Sequence, residues 1–130
     1  MLKRGDIVLA RFPFTDRTGT KIRPVLILAE VPGPHRDFLV MFISSQLKQA
    51  LAGIDVILDM AHPAFLGTGL KTASVFKVAK VASLSESLIV GPIGQLDDEV
   101  FQMLIERLVH LLQTGQLPTA TESDRDVANH

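Results

Sequence analysis

Residues 21 to 28 read K-I-R-P-V-L-I-L, and this stretch decides how the rest of the chain must be arranged. Val25, Leu26, Ile27 and Leu28 form an unbroken apolar run, the pattern expected of a strand covered on both faces. A strand therefore runs from about Pro24 to Glu30. Just before the run stand Arg23 and Pro24; the proline fixes its own φ, offers no N–H and biases the residue before it towards extended geometry. An always-charged guanidinium is thereby held at the mouth of the core on a stiffened backbone, where it is suited to grip phosphate or carboxylate.

Working outward, Asp6 to Phe12 reads as a first strand, opened by Gly5 and stopped by Pro13. Residues 13 to 21, P-F-T-D-R-T-G-T-K, form a turn-rich basic loop. A third strand covers Phe38 to Ser45 and ends in hydroxyls followed by Gln46. Short strands follow at Ile54 to Leu58, Ser74 to Ala82 and Leu88 to Ile93. The stretch M-A-H-P-A-F-L-G-T-G-L-K, residues 60 to 71, holds too many breakers for more than one helical turn. Short strands at this spacing, with a single helix after them, predict a mainly β fold with a C-terminal helix, a small partly closed barrel rather than a parallel α/β sheet.

The helix spans 98 to 113. Asp97 is a good N-cap, Asp98 and Glu99 suit the positive end of the dipole, Gly115 ends the helix and Pro118 prevents its resumption. Its apolar residues, from Val100 to Leu112, cover an arc of roughly 240°, wider than one core-facing stripe needs. A second copy of the chain is the economical cover, so a homodimer is expected. Residues 1 to 114 make one domain, and the acidic, aperiodic 115 to 130 reads as a disordered tail.

With 130 residues, 47% of them hydrophobic, the chain can bury a core without a metal or disulfide staple. Cys, Trp and Tyr are absent, which removes thiol chemistry and argues against a stacking-based single-strand binder. No apolar segment is long enough for a membrane span and no secretory leader is evident, so a cytoplasmic location is expected. The net charge of -1 hides an asymmetry: residues 1 to 80 carry 11 Lys plus Arg against 6 Asp plus Glu, and residues 81 to 130 carry 2 against 8. A basic body suits a polyanion.

Several motifs taken together resemble the PemK/MazF-like toxins of toxin–antitoxin modules. They are G-D-I-V-L-A-R-F-P-F-T-D at 5 to 16, K-I-R-P-V-L-I-L at 21 to 28, I-S-S-Q at 43 to 46, and S-V at 74 to 75 leading into K-V-A-S-L at 80 to 84. The helix after L-D-D-E also fits, and the likeness covers roughly residues 3 to 114. It implies an SH3-like barrel, a homodimer, a cognate antitoxin and a metal-independent endoribonuclease that cuts single-stranded RNA at short sequences, with no cofactor. By the same resemblance Arg23 and Ser44 act on the scissile phosphate. Where some members carry an arginine in the fifth strand this chain has Ala82, and the nearest cation is Lys80.

Metal-free RNA cleavage requires the 2′-OH to lose its proton, the leaving 5′-oxygen to gain one, and the charge growing on phosphorus-bound oxygens to be stabilised. Arg23 suits the last task, Ser44 can hold a non-bridging oxygen, and Asp16, Arg17, Lys21, Ser45, Gln46 and Lys80 are candidate substrate contacts. Each has a plainer reading. Arg23 can be a structural cation paired with Asp6 or Asp16, Ser44 and Ser45 can cap a strand end, and Asp16 can close an Asx-turn. His35, His62 and His110 share no ligand spacing, so neither metal binding nor catalysis is assigned to them. Two alternatives of other classes are a non-catalytic toxin of the same fold that binds a protein target, as gyrase inhibitors do, and an inactive RNA-binding barrel.

Overall fold

The computed structural model describes residues 1–12 and 21–116. Six strands form one antiparallel sheet: β1 (Asp6–Phe12), β2 (Lys21–Val31), β3 (Asp37–Ser44), β4 (Val56–Leu58), β5 (Ser74–Ser85) and β6 (Ile89–Gln95), followed by helix α1 (Asp98–Thr114). Their order across the sheet is β4-β5-β3-β2-β1-β6, which leaves β4 and β6 as edges. The sheet does not close through strand pairing; it is a partly closed barrel, as the strand pattern predicts. Among the described residues no helix is long and apolar enough to cross a membrane.

The apolar run of β2 is buried as its pattern requires, and its residues serve two packed clusters. Leu26 and Leu28 join Ile7, Met41, Phe76 and Val78 in the cluster that receives Val100, Phe101 and Leu104 of α1. Val25 and Ile27 join Val8, Ala10, Phe12, Phe38, Val40 and Leu84 in the other. Each such side chain contributes on the order of 1.5–3 kcal/mol by leaving water. A single polar replacement in the run would spoil one of the two faces.

The helix ends carry the predicted caps. The Asp97 carboxylate accepts from the Glu99 N–H at 3.1 Å, and the Gly115 N–H donates to the Leu111 carbonyl at 2.8 Å. Only part of the wide apolar arc is used internally: Met103, Val109 and Leu112 remain 42%, 43% and 73% exposed in the single chain.

Between β4 and β5 the breaker-rich segment forms consecutive turns, of which a short one, Leu66–Thr68, packs against edge strand β6. Here backbone meets backbone. A Cβ on Gly69, whose φ is +73°, would collide with the Ile93 carbonyl, and one on Gly94 would collide with Gly67 and Thr68. The turn thus spans the gap that strand pairing leaves.

Candidate functional site

Strand β2 has two neighbours over only part of its length. Residues Lys21 to Pro24 pair with Phe12 to Leu9 of β1, whereas pairing with β3 begins at Val25, opposite Phe42. Strand β3 continues past that point with β5 alone, Ile43 opposite Phe76 and Ser44 opposite Val75. The two strands therefore part company just before the apolar run. Pro24 is tolerated because this section of β2 has one partner strand.

Their parting opens a cleft of about 590 Å³. Arg23 lines it from β2; Ser44, Ser45 and Gln46 line it from the end of β3; Lys80 lines it from β5. Arg23 is exposed, and among the described residues its side chain has no ion-pair or hydrogen-bond partner. The alternative pairing with Asp6 is not formed: that carboxylate accepts from the Lys3 N–H at 3.0 Å and from Gln95 Nε2 at 3.1 Å. Ser44 Oγ accepts from the Gln46 N–H at 3.0 Å, so it does cap the strand end, with its own proton still available to donate.

Lys80 reaches the cleft through an irregularity. Met41 of β3 faces Val81 while the adjacent Phe42 faces Lys77, so residues 78 to 80 are extra on β5. Bulges of this kind re-aim side chains. In a regular strand Lys77 and Lys80, three apart, would point to opposite faces; here both line the same cleft.

The two lysines differ in what they can do. Lys77 is buried; its Nζ donates to the Gln49 carbonyl at 2.8 Å and lies 3.3 Å from Asp55 Oδ2. Asp55 in turn accepts from the N–H groups of Leu51 and Val78 at 2.9 and 3.0 Å, and the Arg107 guanidinium donates to its carbonyl at 2.8 Å. Lys77 therefore ties the segment after Gln46 to β5, and its charge is neutralised inside the protein.

Of the residues singled out from sequence, Arg23, Ser44, Ser45, Gln46 and Lys80 converge on the cleft. Lys21 is half-buried at the start of β2 and is not part of the cleft lining. Asp16 and Arg17 lie outside the described residues, as does the Asp16 alternative for pairing Arg23. His62 uses Nδ1 to accept from the Ala64 N–H at 3.0 Å, an ordinary turn contact. Sequence reasoning missed Lys71, Thr72, Lys77 and Gln49, which also line the cleft. The glycine pair flanking Thr68 was the available signal for the first two, since it marks a turn that must lie close against another backbone. Among the described lining residues there are three lysines and one arginine and no carboxylate.

The structure is a small, partly closed β-barrel with a cation-lined cleft between two diverging strands. The family model of PemK-like, MazF-like toxins of type II toxin–antitoxin systems matches residues 3–112, and the chain belongs to that family. It is thus a toxin-family protein whose family operates with a protein antitoxin. No curated relative matches the chain.

Proposed function

We propose that the chain is a metal-independent endoribonuclease that cuts single-stranded RNA at short sequences and so inhibits growth. The observation that carries this reading is the Arg23 guanidinium, without a partner among the described residues, sharing a cleft with the Ser44 hydroxyl at the point where β2 and β3 separate. In the reaction the 2′-oxygen attacks the adjacent phosphorus, the bond from phosphorus to the 5′-oxygen breaks, and a 2′,3′-cyclic phosphate and a 5′-hydroxyl result. The 2′ proton passes to water. Arg23 binds the two non-bridging oxygens as their charge grows and can donate to the departing 5′-oxygen, which water reprotonates fully. Ser44 donates its free O–H to one non-bridging oxygen. Ser45 and Gln46 supply donors to phosphate or base, and Lys80 adds a positive field in place of an arginine at Ala82.

The functional unit is a cytoplasmic homodimer of the 1–114 domain, with Met103 and Val109 at opposite margins of the covered arc of α1. Sedimentation checks this: a native chain that stays monomeric at micromolar concentration contradicts it. The antitoxin places an acidic extended segment in the same cleft, excluding RNA, and its affinity falls as salt rises. Primer extension on a long RNA treated with the purified chain in EDTA tests the whole reading. Cuts at a recurrent short sequence are expected; intact RNA with an otherwise folded protein would reject cleavage in favour of a binding role.

A further inference from the structure

Among the described residues the cleft holds one cation that neither the internal ion pair nor the scissile-phosphate chemistry uses. Lys71 is exposed, lines the cleft, and among the described residues has no hydrogen-bond or ion-pair partner. The backbone just before it is nonetheless well fixed. The turn before it is closed by Thr68, fully buried, whose Oγ1 donates to the Phe65 carbonyl at 2.6 Å and accepts from the Leu70 N–H at 3.1 Å. The same turn is seated on β6 through Gly69 and Gly94, neither of which leaves room for a Cβ. A surface lysine that only keeps the protein soluble needs no such anchorage.

With Lys77 neutralised by Asp55, the cations free to meet a ligand among the described lining are Arg23, Lys71 and Lys80, carried by three different elements. Cations carried by three elements around one cleft can meet more than one phosphate of a strand. A volume of about 590 Å³ is also far more than a phosphate fills, and lies within the roughly 300–1,000 Å³ of pockets that hold whole organic ligands. A lysine is moreover a point charge without the bidentate fork of arginine, suited to holding a phosphate in place and less suited to following its geometry through a reaction.

Resting on the ribonuclease reading above, we propose that Lys71 is a binding residue for a non-scissile phosphate of the RNA, setting the strand's position in the cleft while Arg23 works on the phosphate that is cut. The predicted signature is a change in binding without a change in the chemical step.

The test uses the full chain in EDTA and a fluorescein-labelled 12-nucleotide 2′-O-methyl RNA of mixed sequence, which cannot be cleaved. Its affinity is followed by anisotropy across a salt series. Each phosphate contact on a single strand contributes about 0.7 to the slope of log affinity against log salt. Lys71→Gln should lower the slope by about that amount, Lys71→Arg should restore it, and Lys3→Gln, away from the cleft lining, should leave it unchanged. On cleavable RNA, Lys71→Gln should raise KM several-fold with kcat retained. An unchanged slope in Lys71→Gln, or a loss confined to kcat, overturns the proposal while leaving the ribonuclease reading intact. A lowered slope in a chain whose wild type cuts no RNA upholds the phosphate contact and removes the nuclease.

Discussion

Arg23 and Arg36 stand at opposite ends of the same β2–β3 hairpin and meet opposite fates. At the end where the two strands remain paired, Val31 opposite Asp37, Arg36 Nε bonds Glu30 at 2.9 Å and Nη1 bonds Glu86 at 2.8 Å, with the guanidinium 5.2 Å from the Phe38 ring centroid. At the end where the strands diverge, Arg23 has none of this among the described residues. The same residue type is structural where the surrounding segments bring carboxylates to it and available where they withhold them. Charge alone does not mark a candidate site; charge without a partner among its neighbours, on a fixed backbone, is the better guide.

Lys77 sharpens the comparison, because it is a paired cation inside the cleft rather than at the far end. Its carboxylate, Asp55, also accepts two backbone N–H groups, and the two side chains are only 10% and 1% exposed. Removing one partner of a buried pair strands the other charge, which typically costs about 3–5 kcal/mol. Asp55→Ala should therefore show the largest loss of stability of any change considered, read from the urea midpoint. Lys77→Met should cost less, because the Asp55 carboxylate it leaves behind still accepts from two backbone N–H groups. If Asp55→Ala unfolds with the native midpoint, the pair does not hold this segment and Lys77 belongs with the free cations.

Arg23→Ala comes next. Loss of one transition-state donor slows reaction by about 100- to 1,000-fold, and because Arg23 is exposed and has no partner among the described residues the melting temperature should not move. Arg23→Lys should restore little, for want of the bidentate fork. Native cleavage by Arg23→Ala would sink the mechanism. Ser44→Ala should slow cleavage less, and Ser44→Thr should keep it, since both hydroxyls can donate one proton. Should Ser45→Ala prove the damaging change instead, the hydroxyl at work is one residue further along.

What was legible beforehand follows the range of the interactions. The first strand and both helix caps were readable because residues within a few positions encode them. Strand β2 starts at Lys21 rather than Pro24, and β5 runs on to Ser85, because these extensions exist only through partners: Ile22 opposite Arg11, and Leu84 opposite Phe38. The breakers in 60 to 71 announced an irregular segment, yet nothing local announced that it would seat on β6. Arg23 was readable as a charge at the core's mouth, whereas its freedom depends on where Asp6 points, a contact with Gln95 far along the chain. Lys80 entered the site by resemblance; the bulge that delivers it there is a mismatch between two strands and belongs to neither alone.

The smallest expected effect belongs to the far end of the hairpin, and it is the one that tests the contrast most directly. Arg36 and its two glutamates are partly exposed, so water already screens their charges, and pairs of this kind contribute about 0–1 kcal/mol. Packing over Phe38 adds a little, while the Nη2 atom, buried without a partner, subtracts from it. Arg36→Leu should consequently shift the urea midpoint only slightly, and cleavage should stay at the native rate, because no part of Arg36 lines the cleft. Cleavage lost in Arg36→Leu at native stability would mean that RNA runs the length of the hairpin, and the two arginines would then be parts of one binding surface rather than opposites.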